Sequence, residues 1–168
     1  VSVGTNATQQ ALRAILSAEK TLQSSAAESA MASLRLAIVP TLDVEQVEGR
    51  RTIGLRLRPT SQLPAAVDGE VTVARSSNVG KVAGAIAQRI RESSSASVRC
   101  AGAVALRQAL KATAIARGYL ADRGDLEGSD LALLARLETL FADDEAAGLP
   151  AECVLCVFRL PRRQTSAS

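Results

Sequence analysis

The sequence predicts an α+β protein in which a partial module of helix and strands is followed by a complete one. Three observations carry this. The hydrophobic period switches repeatedly between two and about 3.6 residues along the chain. Two blocks of sequence recur in the same order. Apolar residues make up 47% of the 168 and aromatic residues 2%, with no Trp, so the core must be Ala, Val, Leu and Ile, whose small side chains let helices pack closely on a sheet.

The first module opens at a strand, Val1-Ser2-Val3, and continues with a helix over about 5–22. A Ser/Ala-rich stretch, 23–33, reads as loop or helix extension, and strands follow near 35–44 and 51–58. Pro59, Thr60, Ser61, Pro64 and Gly69 mark 59–69 as a linker. The second module starts with the strand 71–75 and the turn Ser76-Ser77-Asn78. Val79, Val82, Ile86 and Ile90 then share one face of a helix over 79–92. A polar break at Ser93–Ser97 precedes a short strand, 98–101, and a helix over 103–119 that Gly118 should stop. Asp122–Asp130 reads as an acidic, solvent-exposed loop, and 153–160 as the last strand. Domain boundaries follow: 1–58 partial repeat, 59–69 linker, 70–162 complete repeat with acidic insertions, 163–168 tail.

The repeat rests on two ungapped overlays. Residues 1–22 on 99–120 match Gly4/Gly102, Ala7/Ala105, Gln10/Gln108, Ala11/Ala109, Leu12/Leu110, Ala14/Ala112, Ala18/Ala116 and Leu22/Leu120, with Arg13 on Lys111. Leu36-Ala37-Ile38-Val39 then falls on Leu131-Ala132-Leu133-Leu134. This second overlay decides a conflict. Leu131, Leu134, Leu137, Leu140 and Phe141 have helical spacing, but their partner around Ile38-Val39-Pro40 reads as a strand, so both are expected to be strands. The first module has no counterpart of residues 71–92.

Charge is uneven although the net is only +3. Residues 70–120 hold eight Lys/Arg against two Glu, whereas 121–152 hold two Arg against nine acids. A basic module followed by an acidic stretch makes a directional field. Three Cys and no His give neither a disulfide framework nor a convincing metal site. A reducing compartment is expected, mitochondrial or cytoplasmic. No apolar run approaches the roughly 18 residues of a membrane span, so no membrane partner is expected.

The run Gly102-Ala103-Val104-Ala105-Leu106-Arg107-Gln108-Ala109-Leu110-Lys111-Ala112-Thr113-Ala114-Ile115-Ala116-Arg117-Gly118 resembles the stage V sporulation protein S family, as does Lys81-Val82-Ala83-Gly84-Ala85-Ile86-Ala87 one strand earlier. In the first module Leu36–Pro40 and Glu48–Ile53 look like that family's closing hairpin. The resemblance implies an Alba-like β-α-β-α-β-β module, with helices on one face of a mixed sheet. It also implies the role of Alba proteins, which are dimeric nucleic-acid binders. The acidic loop 122–130 and a long hairpin loop near Asp143-Asp144-Glu145 depart from the pattern, and Glu19-Lys20 stands where the second module has Arg117-Gly118.

Candidate contacts follow. The loop Arg75-Ser76-Ser77-Asn78-Val79-Gly80-Lys81 joins a strand to a helix N-terminus, where backbone N–H groups and Lys81 favour an anion. It is not a P-loop, since Val82 stands where Ser or Thr is needed. Arg75, Ser77, Asn78 and Lys81 are therefore candidate phosphate contacts; the plainer account is a capped turn with Ser77 or Asn78 as N-cap. Arg107 and Lys111 project side by side one helical turn apart, on either an anion-binding or a merely solvated face. Arg56 and Arg58 share one sheet face, with Arg50 and Arg51 at the hairpin turn. Four arginines there suit a phosphate-rich surface, or protect an edge strand. Cys153 and Cys156 have half a zinc spacing but sit on opposite faces of a strand, so no metal and no cofactor is expected.

Without His, and with no spaced carboxylate pair, catalysis finds no candidates. The expected function is non-enzymatic binding of RNA or DNA, mainly through phosphates. The alternative is an architectural subunit of a large assembly, such as an organellar ribonucleoprotein, meeting other protein subunits or a second copy through an open sheet face and edge.

Overall fold

In the computed structural model, which describes residues 5–25, 34–47, 50–64, 70–137 and 152–162, a helix and a hairpin precede a longer α/β unit. The elements are α1 (Thr5–Ser25), β1 (Arg35–Val47), β2 (Arg50–Thr60), β3 (Glu70–Val73), α2 (Val79–Ser93), β4 (Ser95–Ala101), α3 (Gly102–Asp122), β5 (Ser129–Leu137) and β6 (Glu152–Pro161). The strands of both parts join one six-stranded sheet, in the order β2-β1-β5-β6-β4-β3. β3 and β4 pair in parallel, which requires a crossover, and α2 supplies it. The other neighbouring pairs are antiparallel. The fold is α+β, and β3-α2-β4-α3-β5-β6 has the Alba-like order.

Period-two alternation sorts each strand onto two faces. Ile38, Ile53, Val98, Leu131, Leu133, Leu155 and Val157 point to the helix side, into a core shared with Leu12 of α1, Ile86 and Ile90 of α2, and Leu110 and Leu120 of α3. The opposite face carries a second buried cluster: Ala37 and Val39 of β1, Ala132 and Leu134 of β5, Phe158 and Leu160 of β6. Both faces of β6 are therefore apolar, and on the helix-free side β1 shares its cluster. The join between β1 and β5 sets Ile38 opposite Leu133, two residues that the sequence overlay also equates.

The contested segment is strand β5, against its local helical spacing. Its apolar residues fill both sheet faces, which is why they do not alternate with polar ones. Three expectations need correction. α3 runs through Gly118 to Asp122: Leu120 beyond it is fully buried, and that burial outweighs the ~1 kcal/mol a helical glycine costs. The chain turns instead at Gly124 and Gly128, both at positive φ (76° and 68°). The break placed at Ser93–Ser97 ends early, because β4 begins at Ser95 with Ala96 and Val98 turned into the core. The stretch 122–130 is not plain solvent-facing loop: Asp125 pairs with Arg91 at 2.9 Å, and Asp130 lies buried in β5 against Arg117. The strand at 1–3, the loop near Asp143–Glu145 and the tail 163–168 fall outside the described residues.

Candidate nucleic-acid interface

The turn between β3 and α2 is held by its own side chains. Ser77 N donates to Ala74 O (3.1 Å), and Ser77 Oγ accepts from Ala74 N (2.9 Å). Asn78 is the N-cap of α2: its Oδ1 accepts from Lys81 N at 3.1 Å. These bonds close the turn and leave Arg75 and Lys81 exposed beside the positive end of the helix. The plainer account of Ser77 and Asn78 thus holds for their oxygens, which are engaged in the fold. The cations are what the turn presents outward.

α3 is fastened to this turn by a residue that sequence reasoning passed over. Gln108 Nε2 donates to Arg75 O at 2.6 Å, so the early turns of α3 lie against the β3–α2 turn. Arg107 and Lys111, both half-buried, lie one residue before and three residues after Gln108 on the same helix. Gln108 Oε1 is buried without a partner. The signal was available, since Gln108 recurs as Gln10 in the overlay, but an amide next to two cations draws less notice than the cations.

Ion pairs separate structural cations from free ones. Arg99 bridges Glu70 (2.8 Å) and Glu152 (3.1 Å), and Arg35 pairs with Glu19 at 3.0 Å. Arg117 makes a two-point contact with Asp130 that raises the guanidinium pKa, through hydrogen bonding and charge. Among the described residues, Arg75, Lys81, Arg107 and Lys111 have no carboxylate within 4.0 Å.

The arginines of β2 lie elsewhere. Arg56 is opposite Val39 and Arg58 opposite Ala37, which sets both on the helix-free face at the far edge of the sheet from β3. Arg58 donates to Pro161 O at 2.9 Å, whereas Arg56 is exposed. Arg50 and Arg51 open the same strand; their side chains lie outside the description. The turn residues and the pair Arg56 and Arg58 thus lie toward opposite edges of the sheet.

Residues 69–145 match the family model for Stage V sporulation protein S (SpoVS). The match supports the SpoVS family for the stretch from β3 through β5. Arg75, Ser77, Asn78, Lys81, Arg107 and Lys111 lie inside the SpoVS match, and the four arginines of β2 lie outside it. Among the described residues no group of three or more His, Cys, Asp or Glu could hold a metal ion, and no helix is long and apolar enough to cross a membrane.

Proposed function

We propose that this SpoVS-like chain is a non-catalytic nucleic-acid-binding protein that contacts RNA or DNA through phosphates at the β3–α2 corner. The reading rests on Arg75 and Lys81 standing exposed at the N-terminus of α2, on Gln108 tying α3 to that turn, and on Arg75, Lys81, Arg107 and Lys111 having no carboxylate partner among the described residues. Like charges gathered in this way repel one another, and an anion relieves that cost. Ser77, Asn78 and Gln108 shape the corner, and Ser77 Oγ, Asn78 Oδ1 and Gln108 Nε2 are committed to the backbone. Recognition is therefore through phosphate, with weak dependence on sequence. With a single Tyr, two Phe and no Trp in the chain, base stacking contributes little.

The test is fluorescence anisotropy with a labelled mixed-sequence single-stranded RNA and a DNA duplex. Binding should weaken steeply between about 50 and 200 mM salt. Arg75→Glu with Lys81→Glu should lower affinity at least about tenfold and flatten the salt slope by about two. Absence of binding to either probe at low salt overturns the reading for the isolated chain. A second reading, an architectural subunit, is favoured by Leu57, which is 44% exposed on the outermost strand β2.

A further inference from the structure

We infer that residues 5–60 and 102–161 are two copies of one helix–strand–strand unit, and that the first copy leaves open, along β2 and α1, a docking surface for an acidic helix–strand segment of another protein subunit. This rests on the architectural reading and not on nucleic-acid binding. Three observations relate the copies. The strand overlay and the sheet register agree at Ile38 and Leu133, as a local twofold axis between equivalent strands requires. The helix overlay equates Leu12 with Leu110, both fully buried. It also equates Glu19 with Arg117, and the strand overlay equates Arg35 with Asp130. Each pair forms a strut from helix to strand, with its charges reversed between the copies.

The second copy shows what covers the unit. β6 carries β4 on its outer side, antiparallel, with Ser97 opposite Cys156. Gln108, on one flank of α3, reaches the turn that starts α2, while Arg117 on the other flank reaches β5. Along α3, Ala112, Ala116 and Leu120 are all fully buried in the shared core. Their equivalents in the first copy, Ala14, Ala18 and Leu22, are exposed, Leu22 by 45%. Leu57, equivalent to fully buried Val157, is 44% exposed. Among the described residues, no strand pairs with the outer edge of β2 and no helix covers Ala14, Ala18 and Leu22, where the other copy has β4 and α2.

Charge selects the occupant. On the equivalence of β2 with β6, a β4-like strand sets the position of Ser97 opposite Arg56, with the next outward position diagonal to it. Carboxylates there would pair with Arg56, and cations would repel it. A second copy of this chain, pairing β2 with itself, would bring arginine against arginine, which disfavours a homodimer.

The probe is a labelled peptide of residues 79–101 carrying Ser97→Glu and Arg99→Glu, titrated against the full chain. It should bind about tenfold more tightly than the unmodified peptide, with the gap closing in high salt. Ala18→Arg, at an exposed site, should abolish binding, Arg56→Glu should invert the preference between peptides, and hydrogen exchange should show new protection at Ile53–Leu57. Failure of both peptides to bind overturns the proposal, as does binding untouched by Ala18→Arg, or protection changes confined to α3 and β6 through displacement of the chain's own α2 and β4. A stable dimer of the chain alone, lost on Ala18→Arg, would give the surface to a second copy instead. None of these readouts depends on nucleic acid, so the two proposals fail separately.

Discussion

The segment α1-β1-β2 and the segment α3-β5-β6 have the same element order, yet among the described residues a further helix and strand cover only the second. In both, a central leucine (Leu12, Leu110) is sealed under the helix and an ion pair ties the helix to the following strand. The difference lies in the neighbours. α3 packs against both α1 and α2 and its alanines are buried; among the described residues α1 packs against α3 alone of the helices, and its Ala14 and Ala18 are exposed. Small residues at matching spacing therefore mean different things in the two places. Alanine permits close packing, but only a neighbour makes it core.

Core deletions strain this comparison most. Leu110→Ala and Leu12→Ala should each cost about 2–5 kcal/mol in urea denaturation. Because both leucines belong to one continuous core over one sheet, each variant should still unfold in a single transition. A two-step melt for Leu12→Ala, with the α3 half persisting, would break the idea that the halves share a core.

The two struts come next. Arg117→Ala leaves Asp130, whose side chain is only 10% exposed, with the N–H of Leu131 but no counter-charge, and should cost about 2–3 kcal/mol. Arg35 is 42% exposed, and Glu19 keeps the N–H of Leu36, so Arg35→Ala should cost less than about 1 kcal/mol. Thermal unfolding of both variants, alongside Arg117→Glu combined with Asp130→Arg, sharpens the point. The double reversal copies the polarity of the first strut and should recover most of the loss.

The smallest effect concerns the thiols. Burial pushes the Cys156 pKa up, with Arg136 pulling the other way. A raised pKa leaves less thiolate at pH 8, so iodoacetamide should label Cys156 more slowly than a free cysteine. Cys100 and Cys153 are buried and should label after unfolding. Mass spectrometry of timed samples checks the order, and equal rates at all three sites would contradict the burial described here.

Much of the fold was legible because period, glycine placement and repetition are local signals. α2 was placed to within a residue by Val79, Val82, Ile86 and Ile90 together with its Asn78 cap. β5 was legible only through its partner in the overlay, since a strand buried on both faces has no alternation to show. Gly118 misled because its exposed position tolerates glycine while Leu120 carries the helix onward. At the candidate interface the sequence named the cations but did not group them. α3 is tied to the β3–α2 turn because Gln108 bonds to the Arg75 carbonyl, and Arg56 and Arg58 lie apart because β2 sits at the far sheet edge.

The sequence alone determined which segments are helix and strand, an aliphatic core and the lack of histidine chemistry, because these follow from side-chain type and spacing along one chain. Which cations stand free, which alanines are buried and which strand forms the edge were decided only by tertiary structure. Burial and ion pairing depend on neighbours far apart in sequence, and those are set by sheet order.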